Sequence, residues 1–177
     1  MLLLPISVYG ASKLGCESLI SSYCHTFDLR GVMLRFANIV GARATHGVVV
    51  DFIRKLRRNA AELEILGDGR QIKSYLNVKD LMNAVFVVLN KFDESKVVEI
   101  YNVGSPDEIS VKRIAEIVCE EVGVNEPVFR FNNSLKDGRG WKGDVKTMQL
   151  SIRKLTGLGW KPCLKSEEAI RLSCNEL

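Results

Sequence analysis

The stretch Val32-Met33-Leu34-Arg35-Phe36-Ala37-Asn38-Ile39-Val40 is almost continuously apolar and stops at Gly41. A strand with one wet face alternates apolar and polar residues. A run without alternation reads as a strand covered on both faces, as in a parallel sheet flanked by helices. A second such run, Val98–Val103, is closed by Gly104-Ser105-Pro106. Segments with helical periodicity separate them. They cover about residues 8–28, 48–59, 78–92, 111–122, 151–156 and 166–175. Asn77 reads as the cap of the third, with Asp80 placed as in a capping box. Ser110 and Ser166 read as caps of later helices, the last with Glu167 and Glu168 in its first turn. Shorter strands are expected at 63–66, 72–78 and 128–131, with a tight turn at Gly67-Asp68-Gly69-Arg70 and a polar loop at 132–146. The alternation of helices with buried strands predicts an α/β fold.

Charge and cysteine usage narrow the function classes. The 177 residues carry a formal charge of +4, and the basic residues are dispersed apart from Arg54-Lys55-Leu56-Arg57-Arg58. That cluster reads as a solvated helix face. Aromatic residues are not interleaved with basic ones as on a nucleic-acid-binding surface, so no nucleic-acid partner is expected. No run approaches the roughly 20 apolar residues of a membrane span, and Met1-Leu2-Leu3-Leu4-Pro5 is too short for a signal-peptide core. Five cysteines, an odd count without Cys-x-x-Cys, accompany only His25 and His46. Neither a disulfide framework nor a metal site is expected. Cys16, Cys24 and Cys119 fall on apolar stripes and read as core, and free thiols point to a reducing, cytoplasmic compartment.

The first helix carries the chemistry. Tyr9, Cys16, Ile20, Cys24 and Phe27 share one face, and Lys13 falls within it, one turn after Tyr9. A phenol and an ammonium on a half-buried stripe perturb each other. At about 6 Å and an effective dielectric near 20, the positive charge stabilises a phenolate by roughly 2–3 kcal/mol. Such a phenol suits general acid/base work. By spacing alone, Tyr-x-x-x-Lys also fits a buried tyrosine with a lysine that snorkels to solvent. Asn38, at a strand end, suits either a ligand contact or a turn.

Several blocks, in order, resemble one family. Ser7-Val8-Tyr9-Gly10-Ala11-Ser12-Lys13 with Glu17 is similar to the Tyr-x-x-x-Lys helix of the extended short-chain dehydrogenase/reductases, the NAD-dependent nucleotide-sugar epimerases and dehydratases. Leu34-Arg35-Phe36-Ala37-Asn38-Ile39-Val40-Gly41 looks like their strand end. The stretch from Leu66 through Gly67-Asp68-Gly69-Arg70-Gln71-Ile72-Lys73-Ser74-Tyr75 to Asp80-Leu81 looks like their Gly-Asp-Gly block. Tyr101-Asn102-Val103-Gly104-Ser105, Gly143-Asp144-Val145 and Leu158-Gly159-Trp160-Lys161-Pro162 complete the series.

This resemblance implies the C-terminal part of an NAD(P)-binding Rossmann-like fold over residues 1–104, with an inserted substrate-binding segment at about 41–73. Intertwined with it would be a small α/β sugar-nucleotide domain over 105–177. It implies Tyr9 as general base on the sugar 4-hydroxyl, and Lys13 on the nicotinamide ribose. NAD would be held by Tyr9, Lys13 and Ala37, and a UDP-hexose by Asn38, Val48, Leu66, Lys73, Arg139, Trp141 and Lys142. A homodimer through the Tyr9–Asp28 helix follows from the same resemblance. UDP-glucose 4-epimerase is the activity it points to first. A 4,6-dehydratase, an L-threonine dehydrogenase-like oxidoreductase and a non-catalytic remnant that binds a partner or a nucleotide sugar are the alternatives.

The sequence departs from the family pattern in three places. Lys73 and Ser74 stand where an Arg-Asp pair is usual, so the charge stays but the bidentate fork is lost. Trp141 stands at an arginine position, with Arg139 or Lys142 nearby as substitutes. The family's Gly-rich turn, ribose-binding acid and catalytic Ser/Thr all precede the tyrosine, so the chain reads as a C-terminal portion.

Overall fold

The computed structural model describes residues 3–133 and 135–177. In chain order the elements are α1 (Val8–Thr26), β1 (Gly31–Phe36), β2 (Asn38–Val40), α2 (Val48–Arg58), β3 (Glu62–Leu66), β4 (Ile72–Lys73), β5 (Tyr75–Asn77) and α3 (Val78–Lys91). They are followed by β6 (Val98–Val103), β7 (Ile109–Ser110), α4 (Val111–Val122), β8 (Val128–Asn132), β9 (Thr147–Met148), α5 (Arg153–Gly157) and α6 (Ser166–Glu176). The fold is α/β with parallel pairing of β1 to β6, β2 to β5 and β3 to β8. β4 runs antiparallel to β7 and parallel to β9.

Two of the expected strands are broken in the middle, while the 98–103 run forms β6 without a break. The 32–40 run divides at Ala37 and the 72–78 run at Ser74. Ala37 N–H still bonds Val103 O at 2.8 Å, whereas Asn38 N–H bonds Ser74 O at 3.2 Å. The chain thus passes from one strand partner to another within a single residue. Ser74 fixes the joint: its hydroxyl donates to Ser105 O at 3.1 Å and accepts from Ser105 N–H at 2.9 Å, and both residues are fully buried. A Cβ on Gly104 would lie 3.0 Å from the Ala37 Cβ. The crossing is therefore built from small residues.

Two cores flank this joint. One packs α2, α4 and α6 around β3 through Phe52, Leu63, Ile65, Ile114, Ile117 and Ile170. The other packs α3 and α5 on β5 and β6 through Leu76, Ala84, Val88, Tyr101, Leu155 and Trp160. Beside it, burial alone would raise the Glu99 carboxyl, but hydrogen bonds from Tyr101, Lys96 and Lys154 outweigh burial and hold it low.

Three local expectations are corrected. Asn77 caps α3, accepting from Lys79 N–H at 2.9 Å, but Asp80 forms no capping box. Its buried carboxylate reaches the C-terminal segment, accepting from Cys163 N–H at 2.9 Å and Leu164 N–H at 3.2 Å. Its carbonyl takes the Trp160 indole N–H at 3.3 Å. Ser166 lies inside α6 instead of capping it; Lys165 is the cap residue. The Ser166 hydroxyl accepts from Tyr75 N–H at 3.1 Å, and Asp107 accepts its backbone N–H at 3.0 Å.

The third correction concerns α1. Of its expected core face only Cys24 is buried, while Tyr9, Ile20 and Phe27 are 70%, 44% and 60% exposed and Cys16 is exposed. The reason is packing: β1 is the main element against α1. Contact is made where Cys24 Sγ fills the space beside Gly31, 2.7 Å from where a Cβ would lie. Cys119 is buried as expected.

Asp80→Ala removes the acceptor of two backbone N–H groups in a buried setting. A loss of about 2–3 kcal/mol is expected, read as a lower urea midpoint at unchanged slope.

Candidate functional site

The strand breaks open a cavity of about 700 Å³ at the carboxyl ends of β1 and β4. Ala37 and Asn38 line it from one strand break, Lys73 and Tyr75 from the other, Tyr9 from α1, and Gly47 and Val48 from the start of α2. A second cavity of about 280 Å³ adjoins it, lined by Phe52, Leu66, Gln71 and Asp144 among others. Gly47, Val48, Lys73, Tyr75 and Trp141 line both. Gly47 takes φ 106°, a conformation glycine adopts freely, and α2 begins there without a side-chain cap. Free N–H groups of a helix start favour an anion.

The sequence-expected residues divide into three groups. Tyr9, Ala37, Asn38, Val48, Leu66, Lys73 and Trp141 line one or both cavities. Lys13 lies behind Tyr9, with Nζ 5.4 Å from the ring centroid, in a separate recess with Leu4, Glu17 and Arg35. Arg139 and Lys142 line neither cavity. Arg139 is drawn to Asp137, Nε to Oδ2 at 2.7 Å, and Lys142 is exposed.

Two ion pairs shape the site. Lys73 Nζ meets Asp144 Oδ1 at 2.5 Å, and the Asp144 side chain is only 6% exposed. Asp144 also accepts from Gly140 N–H at 3.2 Å. One carboxylate therefore holds the segment carrying Trp141 across β4. On the other side Arg35 forks onto Glu17, Nε to Oε1 at 2.8 Å and Nη2 to Oε2 at 2.5 Å. This pair ties the third turn of α1 to β1 and so sets where Tyr9 and Lys13 stand. The hydrogen bond from Arg35 holds the Glu17 carboxyl below its ordinary value. Asn38 opens β2 and does not form a turn; its amide donates to Ser74 O at 3.3 Å, and the residue lines the cavity.

Three lining residues carried no assignment from sequence. Gln71 is buried, and its amide donates to Leu66 O at 3.0 Å. Tyr75 is buried, and burial together with the Asp144 charge pushes its phenol far up, so it stays neutral and forms part of the wall. His46 stands on the loop before α2 and lines the larger cavity. Gln71 and Tyr75 flank the Lys73-Ser74 dipeptide, so the Gly-Asp-Gly block was the available signal for both.

A tyrosine and lysine on one helix, beside a cleft at the carboxyl ends of parallel strands, define an enzyme fold of the extended short-chain dehydrogenase type. The chain belongs to the NAD dependent epimerase/dehydratase family, whose family model matches residues 2–104. A Methanocaldococcus jannaschii protein named for UDP-glucose 4-epimerase activity is 31% identical over 175 residues, covering 97% of this chain and 53% of that protein. The crystal structure of a UDP-galactose 4-epimerase superposes with a TM-score of 0.86 at 40% identity, covering 98% of this chain and 54% of that one. A Thermotoga maritima UDP-glucose 4-epimerase solved with UDP-glucose gives 0.80 at 30% identity, with the same coverage. The chain spans about half the length of the relatives it matches.

Glu17→Gln tests the tie between α1 and β1. A group whose folded value is depressed contributes stability above its ordinary value of 4.5 and loses it as pH falls through the folded value. The Arg35 side chain is partly solvated, so the expected cost near neutral pH is about 1 kcal/mol or less. Thermal melts of wild type and variant should converge as pH drops below that range; a constant gap at all pH values would contradict the ionic origin.

Proposed function

We propose that this chain forms the nucleotide-sugar side of an NAD-dependent 4-epimerase acting on a UDP-hexose. The observation that carries the reading is the pair of adjoining cavities, about 280 and 700 Å³, with Lys73 at their junction and Tyr9 at the far wall. A nucleoside in the smaller cavity and a hexose in the larger would put the diphosphate beside Lys73 and the uncapped start of α2. The hexose 4-hydroxyl would then approach Tyr9.

The residues present fit the nicotinamide end of NAD. The Lys13 ammonium stands beside the Tyr9 ring, and buried Ala37 leaves the strand end open for a flat ring. NAD, when bound, supplies the hydride acceptor and donor. The chain's own residues do the rest. Tyr9 takes the proton of the sugar 4-hydroxyl and returns it. Lys13 holds a ribose beside the Tyr9 ring. Asn38 and Tyr75 offer hydrogen bonds to the sugar. Lys73 neutralises phosphate charge while remaining anchored by Asp144. The two hydrophobic cores support a division into a Rossmann portion and a sugar-nucleotide portion, with α5 and Trp160 returning to the first. Leu19, Ile20, Tyr23 and Phe27 leave an apolar face of α1 exposed, which supports a second copy as its cover.

A second reading rests on the exposure of that helix. With Tyr9 70% exposed, the chain by itself would bind a nucleotide sugar without turning it over. No helix among the described residues is long and apolar enough to cross a membrane.

Calorimetry with UDP-glucose and NAD separates the readings. Micromolar binding of UDP-glucose is expected, weakened about tenfold by Lys73→Met. With NAD added, turnover to UDP-galactose that Tyr9→Phe abolishes supports the catalytic reading. UDP-glucose binding without turnover supports the binding-only reading, and absence of UDP-glucose binding by the folded chain overturns both.

A further inference from the structure

Trp141 is placed as few exposed aromatic residues are. It is 56% exposed and lines both cavities at their junction. The benzo edge of its ring rests over Gly143, where a Cβ would come within 3.2 Å of Cζ3; Gly143 also takes φ 95°, so glycine suits the position twice over. Among the described residues none accepts a hydrogen bond from the indole N–H. The backbone beneath is held firmly. Asp144 N–H bonds Trp141 O at 3.0 Å, and the Asp144 carboxylate is bound by Lys73 and by Gly140 N–H. A large aromatic surface is thus presented to a cleft on a segment anchored by a buried ion pair. Exposing a tryptophan costs apolar burial, and the anchored geometry keeps the ring from collapsing onto the core.

The ionic side of the junction is correspondingly spare. Lys73 is shared with Asp144, Arg139 is taken by Asp137, and Lys142 lines neither cavity. Beyond Lys73 and the uncapped start of α2, a ligand held here gains from surface. The apolar walls of the smaller cavity, Phe52, Leu66 and Tyr75, suit a flat heteroaromatic ring more than a polyhydroxylated one.

We propose that Trp141 is a specificity-determining residue that stacks on the nucleobase of the bound nucleotide, replacing a phosphate cation with an aromatic platform. This rests on the nucleotide-sugar reading above and adds which part of the ligand the residue selects. Recognition by stacking favours ligands with a base over sugar phosphates alone, and its strength depends weakly on salt.

Tryptophan fluorescence of the 177-residue chain tests this directly. Trp141 and Trp160 are its only tryptophans, and Trp160 is 1% exposed with its N–H on Asp80 O. UDP should quench or shift the emission, and glucose 1-phosphate should not at any concentration. Trp141→Phe should remove the optical response while calorimetry still detects UDP within about threefold of the original affinity. Trp141→Ala should weaken UDP about tenfold, which corresponds to roughly 1.4 kcal/mol. Trp141→Arg should restore affinity at low salt with a steeper salt dependence. Heat of UDP binding with no change in Trp141 emission overturns the stacking role and leaves the nucleotide-sugar reading intact. A response to glucose 1-phosphate equal to that of UDP overturns the base preference. Absence of both heat and emission change with UDP overturns this inference together with that reading.

Discussion

The buried exchange of hydrogen bonds between Ser74 and Ser105 is the constraint on which the rest of the structure depends. At that point two strand segments change partners, and each does so at a single small residue. Had Ser74 been large, the approach of Gly104 to Ala37 would be blocked and the two halves of the sheet could not meet. Because they meet, the ends of β1, β2, β4, β5 and β6 converge, and a cleft opens where the strands part. Ligand sites in open α/β sheets lie outside strand carboxyl ends at such points, because diverging strands leave a crevice there.

Carboxylates, buried at Asp80 and Asp144 and half-buried at Asp107, then tie the later chain to this framework. Asp80 holds the backbone at Cys163 and Leu164, Asp107 holds the start of α6, and Asp144 holds the segment around Trp141. Each is satisfied by backbone N–H groups, a hydroxyl or an ammonium, which is what makes a buried charge tolerable. The effect is positional. Residues far apart in the chain, such as Lys73 and Asp144, are brought into one wall, and an aromatic ring is fixed at the junction of two cavities. On the opposite wall the Glu17–Arg35 fork does the same for α1, whose own apolar contacts with the chain are few.

Much of this was legible in sequence. The apolar runs pointed to the parallel pairing of β1 with β6, although burial alternates along both strands and Phe36 at the end of β1 is exposed. The caps at Asn77 and Ser110 were readable because the orphan N–H groups of a helix start need an oxygen nearby. The blocks around Tyr9, Asn38 and Lys73 pointed to residues that do line the cleft. Asp80 and Ser166 were misread because their spacing satisfies a local capping rule, and nothing local reveals that a distant segment competes for the same oxygen. The stripe on α1 was misread as core because periodicity shows which residues share a face, and not what covers that face.

The sequence by itself determined the α/β class, the order of elements, the family and the short list of residues able to do the chemistry, because each depends on spacing within one element. Tertiary structure alone decided the strand breaks at Ala37 and Ser74, the capture of Lys73 by Asp144, and the position of Trp141 between two cavities. Those outcomes depend on which charges and surfaces meet across long stretches of chain. A carboxylate 71 residues away leaves no local mark on the lysine it will bind.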